Sequence, residues 1–252
     1  MTNPTSYKTA LVTGASRGIG AAICRHLGQL GIQVHAVARS ADSLKAICAE
    51  TGATPHVADI TDTAAMEKLM GELDIDVLVN NAGAIVGLGP IETLSASDID
   101  QMLDINLRAP LQLCRIALAG MVKRQRGHII NIGSTAGNYI FPGTSAYAAA
   151  KAGITAANRV LRYDLAGSNV RVTEISPGRV ETGIYRQALN NDDSKVDALY
   201  KDMRSVHPDD IARSVVTALT MRDGVDISFM EVVPTDQAPG GHRYPSQTQQ
   251  TS

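Results

Sequence analysis

Tyr147 and Lys151 stand four residues apart. On a helix that spacing brings both side chains to one face. An ammonium beside a phenol favours the phenolate and lowers the phenol pKa, which suits Tyr147 to general acid or base work nearer neutrality. Taken alone, Tyr-x-x-x-Lys reads equally as an exposed helix pair. Ser134 strengthens the chemical reading, because it ends the uncharged run 127–134 and could hold a carbonyl oxygen there. Asn106 falls inside a long helical pattern, in Asp104-Ile105-Asn106-Leu107. Asn is disfavoured mid-helix, so Asn106 is a candidate for polar work such as ordering water.

A second group points to a nucleotide. Gly14-Ala15-Ser16-Arg17-Gly18-Ile19-Gly20 joins an apolar run to an amphipathic pattern carried by Ile19, Ile23, Leu27 and Leu30. Glycines there permit a tight turn and close approach of backbone to a pyrophosphate, and the helix N-terminus adds amide donors and a positive dipole end. The spacing is G-x-x-x-G-x-G; glycines also serve ordinary strand-to-helix turns. The next apolar run ends Val37-Ala38-Arg39-Ser40, with no acid for a ribose 2′-hydroxyl. Arg17 and Arg39 could together face a 2′-phosphate, since Arg binds phosphate bidentately, which favours NADP(H) over NAD(H). The alternative is two solvated surface arginines.

These residues need a scaffold. Apolar runs at 9–14, 33–39, 54–59, 76–83, 127–134, 169–178 and 225–234 alternate with helical patterns near 41–51, 61–73, 96–125, 145–166 and 208–222. That rhythm predicts an α/β fold with a mostly parallel sheet and helices on both faces, in one domain spanning 1–252. Thr61 and Ser97 are the expected N-caps, and Pro208 suits a first helical turn.

Composition narrows the function. The 252 residues carry 23 Lys+Arg and 25 Asp+Glu, a net charge of −2, without the clustered excess of cations that a nucleic-acid partner requires. There is no Trp and only two Phe, so Ala, Val, Ile and Leu must build the core. No run reaches the roughly 18 apolar residues of a membrane helix. The opening MTNPTSYK does not resemble a secretory signal. Cys24, Cys48 and Cys114 are far apart, with neither a metal nor a redox spacing. A cytoplasmic protein with reduced cysteines and no metal is expected. The polar tail 245–252 is expected to be mobile.

In order, Thr-Gly-x-x-x-Gly-x-Gly, Asn80-Asn81-Ala82-Gly83, Asn106, Ser134, Tyr147-x-x-x-Lys151 and Pro177-Gly178 resemble the short-chain dehydrogenases/reductases over roughly residues 8–237. The resemblance implies a doubly wound, seven-stranded Rossmann-type fold and an oxidoreductase. It implies Tyr147 as catalytic acid/base and Lys151 as the residue that holds the nicotinamide ribose and lowers the Tyr147 pKa. It further implies that Ser134 positions the substrate oxygen and that Asn106 supports a water-linked relay to Lys151. For the cofactor it implies Gly14, Ser16, Arg17, Gly18, Ile19, Gly20, Arg39, Ser40, Asp59 and Ile60 toward the adenosine and phosphates. Asn81, Ala82 and Gly83 follow, with Pro177, Gly178 and Thr182 at the nicotinamide end. Homotetramers or homodimers are usual in such a family.

Longer strings narrow the resemblance. Residues 127–137, 170–174, 206–212 and 231–237 are similar to the NADP-dependent 3-hydroxy acid and serine dehydrogenase branch, near malonic semialdehyde and sulfoacetaldehyde reductases. Such small acidic substrates call for a cation, and Arg179 and Arg186, flanking Thr182, are the candidates. Arg186 could instead cover a lid over 183–205 with its aliphatic stem. Reductases of polyols, ketones or 3-oxoacyl thioesters remain the alternative, and a nucleotide sensor without activity a minor one.

Overall fold

The computed structural model describes residues 5–186, 188–201 and 204–238, so the tail 245–252 lies outside the described residues. The apolar runs form β1 (Thr9–Thr13), β2 (Gln33–Ala38), β3 (Thr54–Val57), β4 (Val77–Asn80), β5 (Gly127–Ile132), β6 (Val170–Pro177) and β7 (Phe229–Val232). They make one sheet in the order β3-β2-β1-β4-β5-β6-β7, and every neighbouring pair is parallel. The helices are α1 (Gly18–Gln29), α2 (Ala41–Thr51), α3 (Thr63–Gly71), α4 (Ala96–Leu103), α5 (Ala109–Arg124), α6 (Ser145–Asp164), α7 (Asp193–Tyr200) and α8 (Pro208–Leu219).

Alternate side chains leave a strand on opposite faces, and both faces here are covered. Ala10 and Val12 of β1 join a core with Ile23 and Leu27 of α1 and Val215 of α8. Leu11 points the other way, into a core with Met66 of α3 and Leu113 and Met121 of α5. The chain runs outward from β1 to β3, then crosses back to β4. Loops leaving the C-terminal ends of β1 and β4 therefore diverge, and that switch point is where open α/β sheets bind ligands.

Three local expectations change. Asp62 rather than Thr61 caps α3, its carboxylate accepting from the Ala65 amide at 3.0 Å; Thr61 instead donates to Asp59 Oδ1 through its amide and hydroxyl. Ser95 rather than Ser97 caps α4, through a reciprocal capping box with Asp98. The helix expected over 96–125 is interrupted by a π turn, Asp104–Arg108, in which the Ala109 amide reaches back to the Asp104 carbonyl. Within it the Asn106 side-chain amide donates to the Met102 carbonyl at 2.9 Å, an acceptor the backbone would otherwise use.

His35 of β2 stacks on His56 of β3, with ring nitrogens 2.9 Å apart. His128 of β5 is fully buried against Thr173 Oγ1 at 2.7 Å. Burial holds all three imidazoles below their ordinary value, helped by His56 for His35 and by Arg171 for His128. Below about pH 6.5 the unfolded chain therefore binds protons that the native state refuses, so stability falls as pH falls through that window. We expect a lower Tm at pH 5.5 than at pH 7.5 by calorimetry; an unchanged Tm contradicts this.

Candidate active site

A cleft of about 470 Å³ opens at the switch point. Gly14, Ser16, Arg17, Gly18 and Ile19 line it from the loop after β1, and Arg39, Ser40, Asp59 and Ile60 from those after β2 and β3. The loop after β4 adds Asn81, Ala82 and Gly83, Ser134 stands two residues beyond the end of β5, α6 presents Tyr147 and Lys151, and Pro177, Gly178 and Thr182 close the far side.

The glycines are there for backbone reasons. Gly14 and Gly18 have φ of +64° and +54°, which favours Gly. A Cβ on Gly20 would collide with the Gly14 carbonyl, so Gly20 lets α1 pack under the loop without itself lining the cleft. Thr13 ties the β1 and β4 loops together: its hydroxyl oxygen accepts from the Asn81 and Ala82 amides at 3.0 and 3.1 Å. The Asn81 side chain donates back to the Thr13 carbonyl at 2.9 Å. No side chain caps α1, so its first amides are free to face an anion in the cleft.

At the adenosine end Arg39 is largely exposed and lies 3.8 Å from Asp59. Ser40 donates to Ser43, which also lines the cleft and was not expected from the sequence. A glycine cradle, an open helix N-terminus and two guanidinium groups fit a dinucleotide that carries an extra phosphate.

At the other end Ser134 and Tyr147 line the cleft together, the Ser134 hydroxyl being near enough to act on the Tyr147 phenol, and Ser134 Oγ accepts from the Ala136 amide at 3.1 Å. Lys151 is buried, donating to the Ile132 carbonyl at 2.9 Å, with its Nζ 5.8 Å from the centre of the Tyr147 ring. Asn106 stands behind the cleft wall, holding both backbone groups of Ala84 at 3.2 and 2.8 Å. A Cβ on Gly83 would come within 2.9 Å of Asn106 Oδ1 and 3.7 Å of Lys151 Nζ, so Gly83 is the gap through which these two approach.

The electrostatics correct one expectation. Burial pushes the Tyr147 phenol above its ordinary value; the Tyr185 phenol adds to this, and the nearby Ser134 hydroxyl opposes it. Desolvation of a phenolate in an apolar wall is the dominant effect on this phenol. Burial also draws Lys151 down to about 8, against the attraction of Glu174.

The two substrate arginines do not line the cleft. Arg179 donates to the Leu199 carbonyl at 3.1 Å and lies over the Tyr185 ring, and Arg186 pairs with Asp193 at 2.5 Å. The cleft wall there is instead Ile85, Val180, Ile184 and Tyr185. The segment expected as a lid carries a short turn, Gly183–Tyr185, and α7. Tyr200 holds its base by donating to the Val180 and Thr182 carbonyls. No periodicity marks Ile184 or Tyr185 as cleft residues. Among the described residues no cluster could hold a metal, and no helix is long and apolar enough to cross a membrane. The three cysteines are buried and free.

A dinucleotide cleft closed by a Ser–Tyr–Lys centre defines a class of oxidoreductase, and comparison with known proteins agrees. Residues 8–193 match the short chain dehydrogenase family. An uncharacterized short-chain type dehydrogenase/reductase of Sinorhizobium fredii is 44% identical over 236 residues, covering 93% of this chain and 94% of that protein. The NADP-dependent 3-hydroxy acid dehydrogenase of Escherichia coli is 37% identical over 239 residues, covering 92% and 96%. The closed form of a serine dehydrogenase complexed with NADP+ superposes with a TM-score of 0.89 at 36% identity, covering 95% of this chain and all of that one. The chain belongs to the short-chain dehydrogenase family.

Proposed function

We propose that this chain is an NADP(H)-linked dehydrogenase of a small alcohol, acting reversibly as a reductase of the corresponding carbonyl, with 3-hydroxy acids or β-hydroxy amino acids as the substrate class. The observation that carries the reading is that Ser134, Tyr147 and the buried Lys151 line one cleft together with Arg17 and Arg39. When bound, NADP(H) supplies or takes the hydride. Ser134 and Tyr147 hold the substrate oxygen, and Tyr147 gives or takes its proton. Lys151 provides positive charge beneath that proton, and Asn106 keeps the wall behind it hydrated and in register. The relatives that act on 3-hydroxy acids and serine support the substrate class.

A second reading, a neutral carbonyl compound, is favoured by one observation: the cleft wall beside Ser134 carries hydroxyls and apolar side chains, with Arg179 and Arg186 engaged elsewhere. The Arg186–Asp193 pair is exposed, however. Such pairs hold by about 0–1 kcal/mol, so an acidic substrate could draw Arg186 away at little cost. NADPH oxidation measured over malonic semialdehyde, sulfoacetaldehyde and neutral ketones, with L-serine oxidation alongside, decides between them. We expect the acidic substrates to win by about tenfold or more, and Arg186→Ala to raise their KM about tenfold while sparing neutral ones. Equal rates across the panel favour the neutral reading.

Assembly as a homotetramer or homodimer is supported by the exposed Val160 and Tyr163 and the small exposed Ala149, Ala152 and Ala156 along α6. The mass from light scattering reports it. A cytoplasmic location is our expectation from the cysteines, and fractionation tests it.

A further inference from the structure

Four charged side chains among the described residues are buried: Asp76, Lys151, Glu174 and Asp236. Asp76 is bonded to Arg126 and Asp236 to Arg204. That leaves Glu174 and Lys151, opposite in sign, each without a charged hydrogen-bond partner. Glu174, in the middle of β6, is 1% exposed. It accepts only from neutral donors, Thr155 Oγ1 at 2.8 Å and Asn158 Nδ2 at 3.2 Å. Behind Asn158 runs a chain of buried amides. Asn80 donates to Asn131 at 2.7 Å, and Asn131 to Asn158 at 2.6 Å. Along that chain each amide donates to the next, and Asn158 donates to Glu174.

The carboxylate is also placed against the catalytic residues. A Cβ on Gly133 would strike Glu174 Oε1, so the carboxylate lies directly behind the Gly133 peptide. That peptide links Ile132, whose carbonyl takes the Lys151 ammonium, to Ser134. The Thr155 hydroxyl, bonded to Glu174, also reaches the Lys151 carbonyl at 3.2 Å. The side chains facing Lys151 are Tyr147 from its own helix, Asn106 from the π turn and Glu174 from β6. On its far side Glu174 meets a second surface cleft, rimmed by Tyr139, Arg159, Arg162 and Glu231. Arg162 is paired with Asp226 and Tyr139 donates to Glu231.

We propose that Glu174 is a positioning residue of the reaction: from behind the Gly133 peptide its carboxylate balances the positive charge of buried Lys151 and keeps that ammonium protonated beside Tyr147. An isolated buried ion is costly and tends to neutralise itself instead; two opposite ones in the same dry wall sustain each other. The inference rests on the dehydrogenase reading, in which Lys151 acts as a cation. It adds an element that the Asn106–Ser134–Tyr147–Lys151 set does not contain.

Glu174→Gln keeps the size and removes the charge. The titration midpoint of Lys151, read by NMR of lysine labelled with ¹³C at Cε in the cofactor-free protein, is expected to fall by about one pH unit, a tenfold change in the charged-to-neutral ratio. The alkaline limb of kcat/KM for NADPH-linked reduction is expected to move to lower pH by the same amount. Glu174→Asp, which keeps the charge, is expected to restore most of both. No shift in the Gln variant, or equal shifts in Gln and Asp, overturns the proposal. Should Glu174→Gln not fold, the ¹³C carboxyl resonance of Glu174 in the native chain decides: ionised at pH 7 supports it, protonated overturns it. The midpoint is read without cofactor or substrate. A native chain with no NADPH-linked turnover would therefore sink the dehydrogenase reading and leave this measurement standing.

Discussion

Tyr147→Phe lowers kcat about a thousandfold and leaves NADPH affinity within about threefold of the native chain, the usual scale for loss of a general acid. The substitution deletes one hydroxyl from a ring that is 7% exposed. The ring packs with Ile85, Met102 and Ala146, and Phe keeps those contacts, so the fold survives. What disappears is the proton at the substrate oxygen and one side of the Ser134–Tyr147 pair. Ser134 still offers a hydrogen bond, so KM changes less than kcat. Affinity is read by NADPH fluorescence and turnover by absorbance. Turnover within tenfold of the native chain would assign the proton to another group.

The second large effect is on cofactor choice. In Arg17→Ala/Arg39→Ala, kcat/KM with NADPH falls about a hundredfold while that with NADH stays within about threefold. A hydrogen bond to a charged group contributes about 1.5–3 kcal/mol. Two such contacts span about a hundredfold to ten-thousandfold, and Arg39, exposed and sharing its charge with Asp59 at 3.8 Å, sets the figure at the low end. Initial rates with both cofactors at fixed salt give the ratio. Equal losses with NADPH and NADH would show that the arginines only support the loop.

Much of the site was legible because it is encoded by near neighbours. The glycine spacing needs only a strand before it and a helix after it, and Gly14 and Gly18 take the left-handed φ that such a turn demands. Tyr147 and Lys151 follow from helical periodicity. The Arg39 position follows from where β2 stops. What the sequence misjudged was decided by competing side-chain bonds, some from near neighbours and some from distant segments. Asn106 lies in a π turn where a continuous helix was expected, its amide bonded to the Met102 and Ala84 carbonyls, the second from another loop. Thr61 lost its cap role because Asp59 engaged it first. Arg179 and Arg186 were placed near the substrate by proximity to Thr182 in the chain, yet their guanidinium groups turn to Leu199 and Asp193.

The sequence by itself determined the alternation of strands and helices, the glycine turn, the Tyr147–Lys151 pair and the absence of an acid at the end of β2. All are set by residue type within a few positions, where backbone geometry leaves few choices. Only the tertiary structure decided that burial dominates the Tyr147 phenol, that Ile184 and Tyr185 wall the substrate end, and that Glu174 stands behind Gly133. Each of these depends on how much water is removed and on which distant segment removes it. Desolvation and charge pairing are properties of the packed interior, and no local pattern along the chain records them.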